Sequence, residues 1–270
     1  MPLTEKDGLI QWTRKSRSER IREHLIWVGA AFLFVLAARY ISGQTIWIFV
    51  LDAPRQAQDF ISRMFPPDVR YFNRAIGALW DTINIAVFGT LIAIVFSIPI
   101  AILAAKNTTP HPTLRAMALA VIVGSRSVNS LIWALLIVQI TGPGLFAGVL
   151  AIGIRSVGMI SKLLYESIEE INREPIEATL ATGASRAQTF VYAYIPQLMP
   201  IFVGITVYRW EINIRESTII GIVGGGGIGF LLNSAINRLA WNQAVVILIT
   251  ILATVIVAEW VSAKVRAKVT

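Results

Sequence analysis

Six predominantly apolar stretches, at residues 24–41, 80–105, 116–140, 145–164, 198–222 and 244–261, set the terms for everything else in this chain. Each approaches the roughly 20 residues that a helix needs to cross the hydrocarbon core of a bilayer. A backbone in lipid must satisfy its own hydrogen bonds, so each run is expected to be helical. Composition agrees: 55% of residues are hydrophobic, 15% are charged and the mean hydropathy is +0.65, outside the range of a soluble domain. The reading is an all-α integral membrane protein with six transmembrane helices. A polar segment at 1–23 precedes the first helix at 24–41, and a second polar segment, 42–79, carries the breaker Pro66-Pro67. Trp47, Phe60, Phe65, Tyr71 and Phe72 give that segment an interfacial character. A five-helix core is expected at 80–262 and a short tail at 263–270. No cleavable signal peptide is read, because the charged start is long and the first apolar run lacks a small-residue cleavage site.

A net charge of +8 could suggest nucleic acid. The distribution argues instead for the asymmetry that orients membrane helices. Lys and Arg concentrate in 1–23, in the loop around 106–115, between 162 and 186, and at 264–268. On the other side fall only Arg55, Arg63, Arg70, Arg74 and Arg238. Both termini, and the segment between the fourth and fifth runs, are therefore expected in the cytoplasm, and no nucleic acid partner is expected. The chain has no cysteine and only two histidines, His24 and His111, far apart in sequence. This excludes thiol chemistry and leaves no metal-ligand spacing of the usual kind.

The segment at about 165–197 is the least hydrocarbon-like part of the core. Pro175 suits the first turn of a helix that continues through Glu177 and Ala178. Small residues in "EATLATGAS" permit close approach by another surface, and Gly183 can adopt the backbone that ends a helix. Residues 184–194 can form the next helix, and Pro196 with Pro200 is expected to mark where the chain re-enters the membrane. Two readings stand: a helical hairpin packed on its own protein, or a docking element for a cytoplasmic partner, with Glu177 offered to a partner's Arg or Lys.

Charged residues inside membrane runs are rare and are usually functional or paired. Arg126, with Asn129 three residues on, lies in the third run, and Arg155 in the fourth. The fifth carries Arg209, Glu211, Asn213, Arg215, Glu216 and Ser217. Helical periodicity places Arg209, Asn213 and Glu216 on one face, and Glu211 with Arg215 on another at the favourable i,i+4 spacing. Four deep arginines against two deep glutamates leave an excess of positive charge, which points to an anionic solute or an attracted anionic partner. Beyond this run, Gly224, Gly225, Gly226, Gly227 and Gly229 permit irregular backbone. They are read either as a flexible extracellular turn or as a re-entrant, gate-forming loop beside a pathway.

Two of these segments resemble a known family. Glu177-Ala178-Thr179, Gly183, Ala184 and the Ala193-Tyr194-Ile195-Pro196 stretch fall at the spacing of the EAA loop of ABC-importer permeases. Thr179, Ala193 and Ile195 depart from the family pattern conservatively in size. "RESTIIGIVGGGGIG" at 215–229 is similar to phosphonate-type permeases, as are "NSLIWALLIV", "GPGLFAGVLAI" and "KLLYESIEEI". The resemblance covers most of residues 80–262. It implies a type I ABC importer permease fold and a working unit of two permeases, identical or paralogous. Two ATPase subunits and an extracytoplasmic binding protein would complete that unit. The EAA segment would sit in a cleft of the ATPase. The cargo would be a phosphonate, phosphite or phosphate-like oxyanion, whose phosphoryl oxygens suit guanidinium donors. The chain has no G-x-x-x-x-G-K-[ST] phosphate loop, so ATP and magnesium would be bound by the partner.

Permeases for methionine share the glycine-rich ending, so a methionine or other amino-acid importer is the alternative cargo reading. From other classes, a standalone channel would conduct without ATP, and an intramembrane enzyme would need a nucleophile set. Ser217 has no histidine to activate it, so no catalytic residue is expected.

Overall fold

The computed structural model describes residues 3–6, 9–12, 15 and 17–269. The chain divides into two units, Met1–Ile61 and Ser62–Thr270. In the first, β1 (Leu3–Lys6) and β2 (Leu9–Trp12) pair antiparallel with Leu3 opposite Trp12. This two-stranded ladder is the one non-helical element among the described residues. Helix α1 (Arg17–Gln44) follows, with its apolar side chains exposed, and α2 (Trp47–Met64) begins two residues later. The polar segment expected at 42–79 thus contains the whole of α2 and the first residues of the next long helix.

The second unit is a helical bundle. A short turn at Val69–Tyr71 leads into α3 (Phe72–Ala104), followed by α4 (Pro112–Ser127), α5 (Ser130–Thr141) and α6 (Leu145–Glu169). Then come α7 (Glu174–Ala181), α8 (Arg186–Thr189), α9 (Ile195–Ile220), α10 (Gly227–Asn237) and α11 (Trp241–Val269). Several helices run past the apolar runs: α3 starts before Trp80, and α11 continues through the residues expected as a tail. Hydropathy marks only the part of a helix that lipid can bury. Lys, Arg, Glu and Ala extend the same helix into water without a propensity cost.

Five helices are long and apolar enough to cross a membrane, and the α4–α5 pair, bent by 91°, brings the count to six when it is taken as one span. The third apolar run, expected as one straight helix, is therefore broken. The break has a local cause. Val128 is extended, and the Asn129 side chain accepts the Leu131 N–H at 3.1 Å, capping α5 as a new helix.

At the centre, α3 packs along α6 through small residues: Gly89 lies against Ile152, Gly153 lies against Ile92, and the Ser161 hydroxyl donates to the Ser97 carbonyl at 3.3 Å. Without a hydrophobic drive between helices in lipid, close backbone approach over small side chains is what holds them together. Ile85, Ile152 and Ile220 fill the space between α3, α6 and α9. Tyr71 and Ala75 pack with Ile228, Leu231 and Leu232 of α10 and Ile247 of α11.

The two prolines do not break the chain where it re-enters. Residues 190–194 form a π-helical turn in which the Ile195 N–H donates to the Phe190 carbonyl. That widened turn makes room for the Pro196 ring, so α8, the turn and α9 run on as one continuous helix; Pro200 lies inside α9.

Candidate functional site: a mid-bundle ion cluster and an exposed elbow

Four residues expected on the pathway meet about half-way along α3 and α6. Glu216 of α9 stands between two guanidinium groups, 3.3 Å from Arg209 Nη2 and 3.6 Å from Arg155 Nε. Arg209 also donates from Nε to Ser156 Oγ at 3.0 Å. Ser156 donates to Asn213 Oδ1 at 3.1 Å, and Asn213 Nδ2 donates to Thr90 Oγ1 at 2.8 Å. The Thr90 hydroxyl closes the chain on the Ala86 carbonyl at 2.6 Å. Three helices are thus tied through one polar ladder. Among the described residues, buried side-chain atoms without a hydrogen-bond partner are Trp133 Nε1, Thr206 Oγ1, Gln243 Oε1 and Ser262 Oγ, and none belongs to the ladder. A charge at this depth is tolerable only when so paired.

A second cluster uses the opposite side of α9. Glu211, buried, pairs with Arg215 one turn on, as the i,i+4 spacing predicts, and with Arg266 of α11 at 3.5 Å. Arg266 also lies 5.7 Å from the centroid of the Tyr208 ring. Thr90, Ser156 and Arg266 were not expected at these sites. Small hydroxyl residues inside apolar runs were the available signal for the first two. Arg266 looked like part of a solvated tail. Of the remaining pathway candidates, Ser217 is buried but donates to its own helix, at the Ile214 carbonyl. Arg126 and Asn129 are exposed at the α4–α5 bend.

The glycine run is packed. Residues 221–225 make a π-helical turn, and Gly224, Gly226 and Gly227 take φ values of +101°, +81° and +70°, which other residues rarely adopt. The Gly224 carbonyl accepts the Gly144 N–H at 2.9 Å, and the Ile228 N–H donates to Thr82 Oγ1 at 2.7 Å. Gly225 is buried, and Gly229 sits so close to α9 that a Cβ there would collide with the Thr218 carbonyl oxygen. The turn reverses the chain so that α10 folds back onto α3 and α11.

The elbow at 174–189 lies beyond the α3–α6 end where Glu169 accepts the Lys106 backbone N–H at 2.9 Å. Pro175 occupies the first turn of α7, and Gly183, at φ +81°, ends it as the sequence predicts. Ser185 and Gln188 form a reciprocal capping box that starts α8. Glu177 and Ala178 are exposed, Thr179 and Ala184 half-buried, and α7 buries no residue. A shallow depression opens beside it, lined by Thr179, Thr182, Gly183, Ala184, Gln188 and Tyr192.

The second unit, a helical bundle with a paired ion cluster at its centre and a bare helical elbow at one end, has the type I ABC-importer permease fold. The solved structures support that architecture. An amino-acid ABC transporter matches with a TM-score of 0.64 at 18% identity, over 74% of this chain and 96% of that one. The inward-facing methionine transporter MetNI matches with a TM-score of 0.62 at 18% identity, over 72% and 95%.

The chain belongs to the family of binding-protein-dependent transport system inner membrane components, whose model matches residues 97–270. It is 37% identical to the phosphite transport system permease protein PtxC of Stutzerimonas stutzeri, over 88% of this chain and 87% of that protein. It is 36% identical to the phosphate-import permease protein PhnE of Mycolicibacterium smegmatis, over 80% of this chain and 41% of that longer protein.

Proposed function

We propose that the chain forms the membrane pathway of an importer for a phosphite-, phosphonate- or phosphate-like oxyanion. The observation that carries this reading is the charge count at membrane depth. Glu216 serves both Arg155 and Arg209, Glu211 serves both Arg215 and Arg266, and Arg126 forms no ion pair among the described residues. Each cluster keeps a positive surplus that an oxyanion can offset. A pathway must also release its cargo, so these groups should attract without trapping. Relatives named for phosphite and phosphate import support the same chemistry.

The working unit is two copies of this chain or a close paralogue, two ATPase subunits that bind ATP and magnesium, and an extracytoplasmic binding protein that delivers the anion. The chain itself performs no catalysis, and both termini lie in the cytoplasm. Glu177, Ala178, Thr179, Gly183 and Ala184 meet the ATPase. Closure of the ATPase moves α7, and the helix that runs unbroken from Arg186 through Pro196 to Ile220 carries that motion to Glu211 and Glu216. The glycine turn at Gly224–Gly229 hinges the far end of that helix and gates the pathway.

The test is reconstitution with the cognate ATPase and binding protein. Phosphite-loaded binding protein is expected to stimulate ATP hydrolysis and uptake. Stimulation by a methionine-loaded protein instead would transfer the chain to the amino-acid importers, and flux through the purified chain alone would make it a channel.

A further inference from the structure

The arginines of the first ion cluster are not equivalent. The Arg209 side chain is 4% exposed and is engaged by both Ser156 and Glu216. Arg155 is 29% exposed and touches Glu216 only at 3.6 Å, through a carboxylate it shares. Arg126 is exposed and has no ion pair among the described residues. The two loosely held arginines lie on neighbouring helices, α4 and α6, which meet at Gly158. Ser125 of α4 donates to the Ile154 carbonyl of α6 at 2.5 Å and accepts the Gly158 N–H at 3.2 Å, which clamps the two helices at this level. A Cβ on Gly158 would lie 2.6 Å from Ser125 Oγ and 2.9 Å from both Arg126 Cγ and the Ile122 carbonyl oxygen. The bare α-carbon therefore lets the Arg126 stem lie on α6. Gly158 is three residues from Arg155, on the same face of that helix.

We propose that Arg126 and Arg155 form the anion-contact pair of the pathway, while Arg209, Ser156, Asn213 and Thr90 form a fixed frame. With no anion present, Arg155 rests against Glu216. An arriving oxyanion takes Arg155 and Arg126 together, and Glu216 stays with Arg209, so the frame keeps its charge balance while the cargo is held and after it leaves. Gly158 is the positioning residue that seats Arg126 beside Arg155. The assignment rests on the oxyanion reading and narrows it to two side chains.

The chain has no cysteine, so single substitutions report cleanly. Arg126→Cys, Arg155→Cys and Arg209→Cys are each assembled with ATPase and binding protein, then exposed to a cationic, membrane-impermeant methanethiosulfonate with and without phosphite. Positions 126 and 155 are expected to label, and phosphite at about ten times its Kd should slow labelling by roughly tenfold. Position 209 is expected not to label. Where Arg155→Cys impairs uptake, the cationic adduct should restore it and a neutral adduct of similar size should not. Labelling of 209 as fast as 155, or labelling of 126 and 155 that phosphite leaves unchanged, would overturn the assignment. Equal rescue by the neutral adduct would do the same. Uptake by the unsubstituted assembly, run alongside, separates the two failures. Phosphite uptake without protection overturns the arginine pair alone, whereas no oxyanion uptake overturns the oxyanion reading with it.

Discussion

The ion cluster around Glu216 and the elbow at 174–189 are both polar islands in an apolar chain, and they are held in opposite ways. The cluster is defined by partners from other helices: Arg155 and Ser156 from α6 and Thr90 from α3. Removing α9 from its neighbours would leave Arg155 without its carboxylate and Asn213 without Thr90 and Ser156. The elbow is defined by its own backbone, through Pro175, the Gly183 turn and the Ser185–Gln188 box, and the exposed Glu177 side chain forms no ion pair among the described residues. Polar groups at depth whose partners are all in the chain build a frame. Polar groups whose local structure is complete but whose surface is bare are open to something outside it. The contrast recurs within the bundle. In its most apolar window α11 has 28% of residues buried, whereas the less apolar α6 has 61%. In a bilayer a very apolar helix can face lipid, and a helix with small and hydroxyl residues can take the centre.

The contrast can be broken by comparing losses. Glu216→Ala should have the largest effect, about 3–5 kcal/mol, because it leaves the buried Arg209 guanidinium without its counter-charge. Thermal unfolding in detergent would read this, and a loss no greater than that of Glu177→Ala would remove the frame. Gly229→Ala should follow at about 1–3 kcal/mol, since the Thr218 backbone must shift to admit a methyl group. Its signature is reduced yield and a lower melting temperature. Gly183→Ala is expected to cost about 1 kcal/mol: space at the site is open, so only the positive φ opposes the methyl. Limited proteolysis should detect it as local loosening of the elbow while the bundle's melting is little changed. Glu177→Arg is expected to leave melting unchanged and to abolish stimulation of the ATPase by loaded binding protein. Retained stimulation would mean that the elbow's exposed face is not the contact.

Much of the site was legible because it lies within single helices. The Glu211–Arg215 pair and the common face of Arg209, Asn213 and Glu216 follow from periodicity alone. Pro175 and Gly183 marked the two ends of α7, and the order of the spans followed from hydropathy. Other features were not legible. Arg266 read as a solvated tail because nothing in its neighbourhood reveals that α11 continues to the level of Glu211. The 91° bend at Asn129 was hidden because an apolar run looks the same straight or broken, and only the cap distinguishes them. The prolines at 196 and 200 are expected to mark re-entry into the membrane, and the sequence does not show that the helix runs through them, with a π-helical turn just before the first.

By itself, then, the sequence determined which segments are long and apolar enough to span a bilayer and which charges share a helix face, since helical pitch and bilayer thickness are constants. Only the tertiary structure decided that Glu216 would stand between Arg155 and Arg209, and that Ser156, Asn213 and Thr90 would link three helices. Those distances depend on how each helix is rotated and slid against its neighbours. Rotation and slide are set by how small residues from distant parts of the chain fit together, and local periodicity carries no record of that fit.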